Sequence, residues 1–386
     1  MNEDRFRTPY AHLEGSLMSE IDRRTLLTWS SALIASLVAS GRTACASTTD
    51  ALYRRSIAID TLSFESPTFD PRPALQAGLS GVVLDLRAEP RDMPKTIAEL
   101  DRWQTAFAAP DNLFFCILRA GDFARAKATN RFAIVLNSQD ASILGPPTVA
   151  NGPENLEALA MFHGKGLRVL QLTYTSNNGL GTGYADAYDA GLARLGIEVV
   201  KEMNRLGMLI DTSHSSEKTT MDAISLSSRP IAVTHAGCYS LFPDKRNKSD
   251  RVIRALADKG GYMGIYNMTM WMTRNRTSSV ETIVDHIDHA VKVGGIDLVG
   301  FGSDHEVSGD PRPQPEKVQS MQEFVDRNKG WPGGEPMNGH VTASDMDGPD
   351  RMQVLADALA RRHYSDAAIE KILGANFVRV FGVACG

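Results

Sequence analysis

Gly207-Met-Leu-Ile-Asp-Thr-Ser-His214, followed by Arg229-Pro-Ile-Ala-Val-Thr-His235, is the stretch of sequence that decides the fold. Each half is a short apolar run that ends in a histidine, which is typical of a buried parallel strand whose carboxyl end carries a side chain into a site. Between them, residues 216–227 have a helix-like composition and enough length for the crossover that parallel strands need. The stretch therefore predicts two successive parallel strands that point two imidazoles into one place.

Apolar runs of strand character alternate with amphipathic helical segments along the rest of the chain. This alternation favours a single (β/α)8 barrel over a doubly wound sheet, because no Gly-x-Gly-x-x-Gly follows an early strand. Nine candidates compete for the eight places of such a barrel. They are Ser56–Ser63, Gly81–Arg87, Phe114–Ala120, Arg131–Gln139, Arg168–Tyr174, Met208–His214, Ile231–Ala236, Tyr262–Asn267 and Leu298–Asp304.

The remaining segments complete an α/β, TIM-like barrel. Residues 191–206 and 280–293 place their apolar side chains on one face, as helices that cover a parallel sheet do. Two closing C-terminal helices are predicted at Pro349–Arg362 and Ser365–Phe381. Gly309–Thr342 is rich in Pro, Gly and polar residues, so we expect it to form a long loop over the active face.

The first 46 residues are interpreted as an export signal, and residues 47–386 as the barrel. Arg23-Arg24 is followed by a moderately apolar segment, Leu26–Ala39, and by Ala44-Cys45-Ala46, which has the form of a cleavage site. These features predict a twin-arginine signal, the twin-arginine export machinery as a partner, and a periplasmic or secreted location.

Two other interpretations of this N-terminal region are weaker. The apolar segment is too short and too rich in Ser and Thr to span about 30 Å of hydrocarbon. Lipidation of Cys45 is not expected, because Arg42 and Thr43 fit poorly before a lipidated cysteine.

The composition is that of a soluble globular protein. The chain has 386 residues, of which 42% are hydrophobic and 23% charged. Its formal net charge of -5 argues against a nucleic-acid partner, because phosphate binding needs a basic surface.

Polar side chains stand at the ends of several predicted strands, where the active sites of (β/α)8 barrels lie. Neutral imidazoles from His214 and His235 suit Zn²⁺, and Asp304 would bind the ion or move protons. The alternative is that each histidine is a hydrogen-bonded polar residue at a strand end. The polar residues at strand ends are Asp60, Gln139, Tyr174, His214, His235 and Asp304.

Six motifs, taken together in their order and spacing, resemble the membrane (renal) dipeptidase family of the metal-dependent, amidohydrolase-like superfamily. The resemblance covers about residues 56–383 and is strongest from residue 192 onwards. The motifs are Gly207-Met-Leu-Ile-Asp-Thr-Ser-His214, Pro230-Ile-Ala-Val-Thr-His-Ala236, Lys245-Arg-Asn247, Asp285-His-Ile-Asp-His289, Val299-Gly-Phe-Gly-Ser-Asp304 and Gly374-Ala-Asn-Phe-Val-Arg-Val380.

The resemblance implies a (β/α)8 metalloenzyme in which two zinc ions bridged by a hydroxide hydrolyse dipeptides and related amides. It implies that His214 and His235 bind one zinc, and that Asp304 binds the other and acts as general acid and base. Arg246 would bind the terminal carboxylate of the substrate, since a guanidinium matches a carboxylate as a bidentate fork. A solvated loop charge is the alternative for Arg246, and a homodimer is a further expectation from the family.

The sequence departs from the family pattern at three places. The first strand of the family ends in Asp-x-His-x-Asp, whereas this chain has Leu62 and Phe64 at the two ligand positions. Gln139 stands where the family has a bridging glutamate, and a neutral amide binds a divalent cation less strongly than a carboxylate. Tyr174 replaces a histidine that stabilises the tetrahedral intermediate, and keeps a donor without the charge.

These departures predict a divergent dipeptidase-like hydrolase that acts on a dipeptide or small amide and holds at most one Zn²⁺. His214, His235 and Gln139 are its candidate ligands, Asp304 its proton shuttle and Tyr174 its oxyanion donor. The alternative is a metal-free protein that binds a peptide or a natural-product precursor, or that performs non-hydrolytic acid/base chemistry.

Overall fold

Parallel strands form a nearly closed barrel, as the sequence predicts. The computed structural model describes residues 49–86, 91–146, 153–275, 277–309, 312–327 and 341–386, so the predicted signal and Cys45 lie outside the described residues. The strands are β1 (Ile59–Ser63), β2 (Gly81–Asp85), β3 (Phe114–Cys116), β4 (Phe132–Ser138), β5 (Leu167–Gln171), β6 (Leu209–Asp211), β7 (Ala232–Ala236), β8 (Tyr262–Ile265) and β9 (Val299–Phe301).

Eight of these strands follow one another in the order β1-β2-β4-β5-β6-β7-β8-β9, and β3 pairs with β4 outside this path. The described ladders are all parallel. Every residue of β1, β2, β4 and β7 is buried, which explains why these strands are almost continuous apolar runs. Of the nine predicted strands, β3 is therefore the one outside the eight-strand path of the barrel.

The barrel closes where the chain beyond β9 meets β1. The backbone N–H of Asp304 donates to the carbonyl of Leu62 over 3.0 Å. Inside the barrel, the hydroxyl of Thr61 lies 2.9 Å from the carbonyl of Phe301 and 2.7 Å from that of Thr234. These contacts place the segment that carries Asp304 against the carboxyl end of β1.

Helices follow the strands and cover the barrel. The predicted crossover between β6 and β7 is confirmed: Ser216 is its N-cap, accepting from the backbone N–H of Thr219, and Ser227 is its C-cap. None of the helices in the described ranges is both long and apolar enough to cross a bilayer. The helices are α1 (Arg72–Ala77), α2 (Met93–Ala108), α3 (Gly121–Ala128), α4 (Pro153–Gly164), α5 (Arg194–Leu206), α6 (Glu217–Leu226), α7 (Asp250–Asp258), α8 (Val280–Gly294), α9 (Gln314–Arg327), α10 (Arg351–Arg361), α11 (Asp366–Glu370) and α12 (Asn376–Cys385).

Helix α9 lies within the segment that we expected to be a loop, so that prediction was wrong for residues 314–327. Pro315 stands in the first turn of the helix, where proline is tolerated. Val318 and Met321, three residues apart, are packed against the core. The prolines around the start of the helix concealed this spacing, and residues 328–340 lie outside the described part of the chain.

The first closing helix, α10, is confirmed, whereas the second is interrupted. A π turn at Lys371–Ala375 separates α11 from α12. Gly374 in this turn lies so close to the carbonyl of Ile57 that a Cβ atom would collide with it. The close approach to the chain before β1 therefore accounts for both the glycine and the break in the helix.

Candidate functional site

Five of the six polar residues predicted at strand ends lie at the carboxyl side of the barrel, whereas Asp60 is the second residue of β1. Tyr174 follows β5, Gln139 follows β4 and Asp304 follows β9, while His235 belongs to β7. We predicted that His214 is the last residue of a strand, and this was wrong. The strand β6 ends earlier, at Asp211. A turn formed by residues 212–215 carries His214, and in this turn the N–H of Ser215 donates to the carbonyl of Thr212.

The imidazoles of His214 and His235 meet, with their Nε2 atoms 3.0 Å apart. Nδ1 of His235 lies 2.9 Å from the hydroxyl of Thr234, which donates to the buried carboxylate of Asp211 over 2.6 Å. Because Thr234 donates its hydroxyl proton to Asp211, Nδ1 of His235 must be the donor to Thr234. Nε2 of His235 therefore carries the lone pair. His214 then donates its Nε2 proton to His235.

Both imidazoles are neutral at physiological pH. Burial is the largest cause that lowers the pKa of His214 and of His235 well below 6.5, and Arg246 is the next. Arg91 and Lys248 act in the same direction on both rings. Neutral imidazole is the form that binds metals, but three nearby cations oppose the approach of a divalent ion.

The described residues do not fit a tightly held zinc. A catalytic zinc takes three protein ligands at about 2.0–2.2 Å, and no three His, Cys, Asp or Glu side chains of the described residues form a group that could hold a metal. A zinc-bound histidine almost always donates its other ring N–H, whereas Nδ1 of His214 is buried without a partner among the described residues. His214 and His235 therefore supply only two of the three protein ligands that such a site needs.

Gln139, the candidate third ligand, is held by a buried carboxylate instead. Its side-chain amide donates to Asp85 over 3.2 Å and its backbone N–H donates to the same carboxylate over 2.9 Å. Arg91 forms an ion pair of 3.0 Å with Asp85. Oε1 of Gln139 remains buried without a hydrogen-bond partner in the described part of the chain.

Three flat side chains are layered beside the imidazole pair. The guanidinium of Arg91 lies 4.6 Å from the ring centre of Tyr174, and this ring stacks on His214 with 4.3 Å between ring centres. Burial raises the pKa of Tyr174 to about 12. Its phenol therefore keeps its proton and is available as a hydrogen-bond donor.

Arg246 is fully buried beneath the two histidines. Its Nη atoms donate to the carbonyl of Ser213 over 2.7 Å and to the carbonyl of His235 over 3.0 Å. The rings of Tyr184, Tyr266 and Trp271 surround its guanidinium at 5.2–5.8 Å. Its Nε has no hydrogen-bond partner among the described residues, so one buried donor is not used by the fold.

Asp304 is half-buried and has a left-handed backbone, with a φ of 59°. Arg351, which is fully buried, donates to the hydroxyl of Ser303 over 2.8 Å and pairs with Asp60 at 3.4 Å. The same guanidinium contacts the carbonyls of His305 and Glu306. Arg351 therefore ties the loop that carries Asp304 to the end of β1.

The first-strand positions that differ from the family are occupied by carbon side chains. Leu62 is fully buried and Phe64 is half-buried. Neither side chain offers an atom that binds a metal, so no metal centre can form at this end of β1 in the way the family forms it.

Sequence reasoning missed four polar residues of this region. Asp85 ends an apolar run, which is the same signal that revealed His235, so a closer reading would have found it. Lys248 directly follows the motif Lys245-Arg-Asn247, but its neighbours suggested a solvated charge. Arg351 gives no local signal, because its partner Asp60 is distant in the sequence, and no motif singles out Arg91.

A (β/α)8 barrel with paired histidines and an aspartate at its strand carboxyl ends is the architecture of hydrolases of the amidohydrolase type. The chain belongs to the membrane dipeptidase family (peptidase family M19), whose pattern matches residues 67–331. Dipeptidase activity is what gives this family its name.

Individual relatives agree with this family. Dipeptidase tcpJ of Claviceps purpurea is 29% identical over 262 residues, which are 66% of this chain and 53% of that protein. The chain spans about half the length of the curated relatives it matches.

Solved structures of similar proteins support the fold. An amidohydrolase from Pseudomonas aeruginosa has a TM-score of 0.75 at 22% identity, covering 88% of this chain and 99% of that one. A metallopeptidase from Rhodobacter sphaeroides, liganded with a phosphinate mimic of the dipeptide L-Ala-D-Ala, has a TM-score of 0.67 at 18% identity, covering 85% of this chain and 99% of that one.

Proposed function

We propose that this chain is exported, that it then hydrolyses a dipeptide or another small amide, and that it holds at most one Zn²⁺. The observation that carries the proposal is the meeting of Tyr174, His214 and His235 at the carboxyl ends of the strands, in a chain of the membrane dipeptidase family. A dipeptide is the substrate class, because the relatives are dipeptidases and one similar structure binds a dipeptide mimic.

Asp304 is the proposed general base. Its half-buried carboxylate takes a proton from the attacking water while the C–O bond forms at the substrate carbonyl. When the tetrahedral intermediate collapses, the C–N bond breaks and the same proton passes from Asp304 to the leaving amine. One water is consumed, and the products are a carboxylic acid and an amine.

Tyr174 and Arg246 are the proposed partners of the substrate oxygens. The phenol of Tyr174 remains protonated and donates a hydrogen bond to the developing oxyanion. Arg246 contributes its positive charge and its unused Nε donor to the terminal carboxylate of the substrate. Both roles are inferred from the resemblance to the family as well as from the geometry.

At most one Zn²⁺ per chain is proposed, at His214 and His235, because these imidazoles are the ligand pair that the described residues retain. Two ligands hold zinc weakly, so the ion would be lost to dialysis against a chelator. Gln139 would add only a neutral oxygen, and no step of the reaction above passes through the metal.

Purified protein, prepared without chelator, tests hydrolysis and metal content together. We expect amine release from a panel of dipeptides that includes L-Ala-D-Ala, and no more than one zinc per chain by elemental analysis. Two zinc ions per chain would contradict the proposed stoichiometry. If no dipeptide or small amide were cleaved, the hydrolase proposal would fail, and a metal-free binder of a peptide or natural-product precursor, or non-hydrolytic acid/base chemistry, would replace it.

Export by the twin-arginine machinery to the periplasm or beyond the cell is proposed from Arg23-Arg24 and the segment that follows. We expect a variant with Arg23→Lys and Arg24→Lys to remain in the cytoplasmic fraction, while an Arg42→Lys control is exported like the wild type. Equal export of both variants would refute the signal. The homodimer implied by the family is a separate proposal, and sedimentation of the purified protein tests it.

A further inference from the structure

Lys248 lies directly behind the turn that carries His214. Its ammonium donates to the carbonyl of Thr212 over 2.8 Å and to the carbonyl of Ser215 over 2.8 Å. The two carbonyls stand on either side of Ser213 and His214, so a single side chain fixes both ends of the turn. Only 2% of Lys248 is exposed.

The residues of this turn are buried, and hydrogen bonds hold it in addition to packing. A cavity of about 280 Å³ lies next to it, lined among others by Ser215, Tyr184 and Lys248 itself. On the side of the cavity, the hydrogen bonds of Lys248 hold the turn.

The stability of the barrel does not explain why a lysine stands here. Burial lowers the pKa of Lys248 to about 7, and the neighbouring Arg246 acts in the same direction. Among the ion pairs of the described residues, none joins Lys248 to a carboxylate. Apolar residues often replace a buried charge without loss of stability, so the retained cation points to a role in the site.

The position of His214 depends on this turn. Its Nε2 must lie at 3.0 Å from Nε2 of His235, and its ring must stack on Tyr174 with 4.3 Å between ring centres. His235 is fixed by β7 and by Thr234, whereas His214 lies three residues beyond the end of β6. The position of His214 is therefore set by the hydrogen bonds that hold this turn, among them those of Lys248 and Arg246.

We propose that Lys248 is a positioning residue of His214, and that its two hydrogen bonds beside the cavity keep this imidazole in register with His235 and Tyr174. The part of this inference that concerns catalysis rests on the proposed hydrolase function. The part that concerns the geometry of the imidazoles does not.

The variant Lys248→Met tests the proposal, with Lys245→Met as the matched control. Lys245 belongs to the same loop and lines the same cavity, but its side chain is exposed. In protein labelled with ¹⁵N-histidine, we expect Lys248→Met to shift or broaden the ring signals of His214 and His235, while the other histidines and the whole spectrum of the control are unchanged. We expect kcat on the best dipeptide to fall about 10- to 100-fold with little change in KM, as for other residues that orient a functional histidine.

Lys248→Arg keeps the charge and the donors beside a cavity that has room for them, so it should restore part of the histidine spectrum and of kcat. Unchanged ring signals in Lys248→Met would overturn the proposal. So would a Lys248→Met protein that fails to fold, because the proposal requires the barrel to be stable without the ammonium. If no substrate is found, the ring signals still decide the positioning role, so a failure of the hydrolase proposal is distinguishable from a failure of this one.

Discussion

Asp304→Asn should lower kcat for dipeptide hydrolysis by about 10²- to 10⁴-fold, the range that general acid/base catalysis contributes. Asparagine has nearly the same shape as aspartate but does not accept a proton from water. It also tolerates the left-handed backbone, which has a φ of 59° at this position. The thermal unfolding midpoint should therefore stay within about 2–3 °C of the wild-type value while activity is lost.

Glu306→Gln is the matched control, because it removes a carboxylate from the same loop two residues further on. Its kcat should remain within about threefold of the wild-type value, as a charge outside the reacting atoms acts only through a screened field. Equal loss in both variants would indicate a loop that has become disordered. Full activity of Asp304→Asn would show that another group takes the proton.

The strands were predictable because parallel strands covered on both faces need apolar residues at almost every position. That signal is local, and it located all nine strands. It did not reveal that β3 pairs outside the barrel, because pairing depends on residues distant in the sequence. It also placed the end of β6 too late, since the turn that follows has no glycine or proline to mark the end of the strand.

The histidines were predictable for the same reason, since each follows an apolar run. The residues that surround the histidines were not predictable. Arg246 looked like a solvated charge, yet three aromatic rings and two carbonyls enclose it. The pair between Asp85 and Arg91 is likewise not indicated by any local pattern.

The charges of the site oppose tight binding of a metal ion by the retained histidines. Carboxylates offset the charge of a bound cation, and this chain has Phe64 and Gln139 where the family has carboxylates, and Leu62 where it has a histidine. Arg91, Arg246 and Lys248 instead bring positive charge to the imidazole pair. An uncharged hydrogen bond between two imidazoles is compatible with that field, whereas a divalent ion would need compensation that the described residues do not supply.

Arg351→Met should destabilise the fold by about 3–5 kcal/mol, the cost of removing one partner of a buried ion pair. Both side chains of the pair with Asp60 are 0% exposed. Methionine fills much of the volume of arginine but leaves the carboxylate of Asp60 without a cation, and the carbonyls of the Asp304 loop without a donor. Chemical denaturation at pH 7 measures the loss as a lower free energy of unfolding.

The loss should depend on pH in a direction that the pKa of Asp60 determines. Burial already raises this pKa above 3.8, and Arg351 is first among the groups that lower it. Without Arg351 the pKa rises further, so the folded state binds a proton that the unfolded state releases, and stability falls as the pH rises above 3.8. The difference between variant and wild type should therefore shrink as the pH falls from 7 towards 4.

Two further variants separate the ion pair from a general effect on α10. Arg361→Met removes an exposed arginine from the other end of the same helix, where it pairs with Glu281 at 3.0 Å, and should cost less than about 1 kcal/mol. The double variant Asp60→Asn with Arg351→Met removes both charges and should recover at least about 1 kcal/mol relative to Arg351→Met alone. If the double variant were no more stable than Arg351→Met, the guanidinium would act through the carbonyls of the Asp304 loop, and the buried carboxylate would not be the source of the loss.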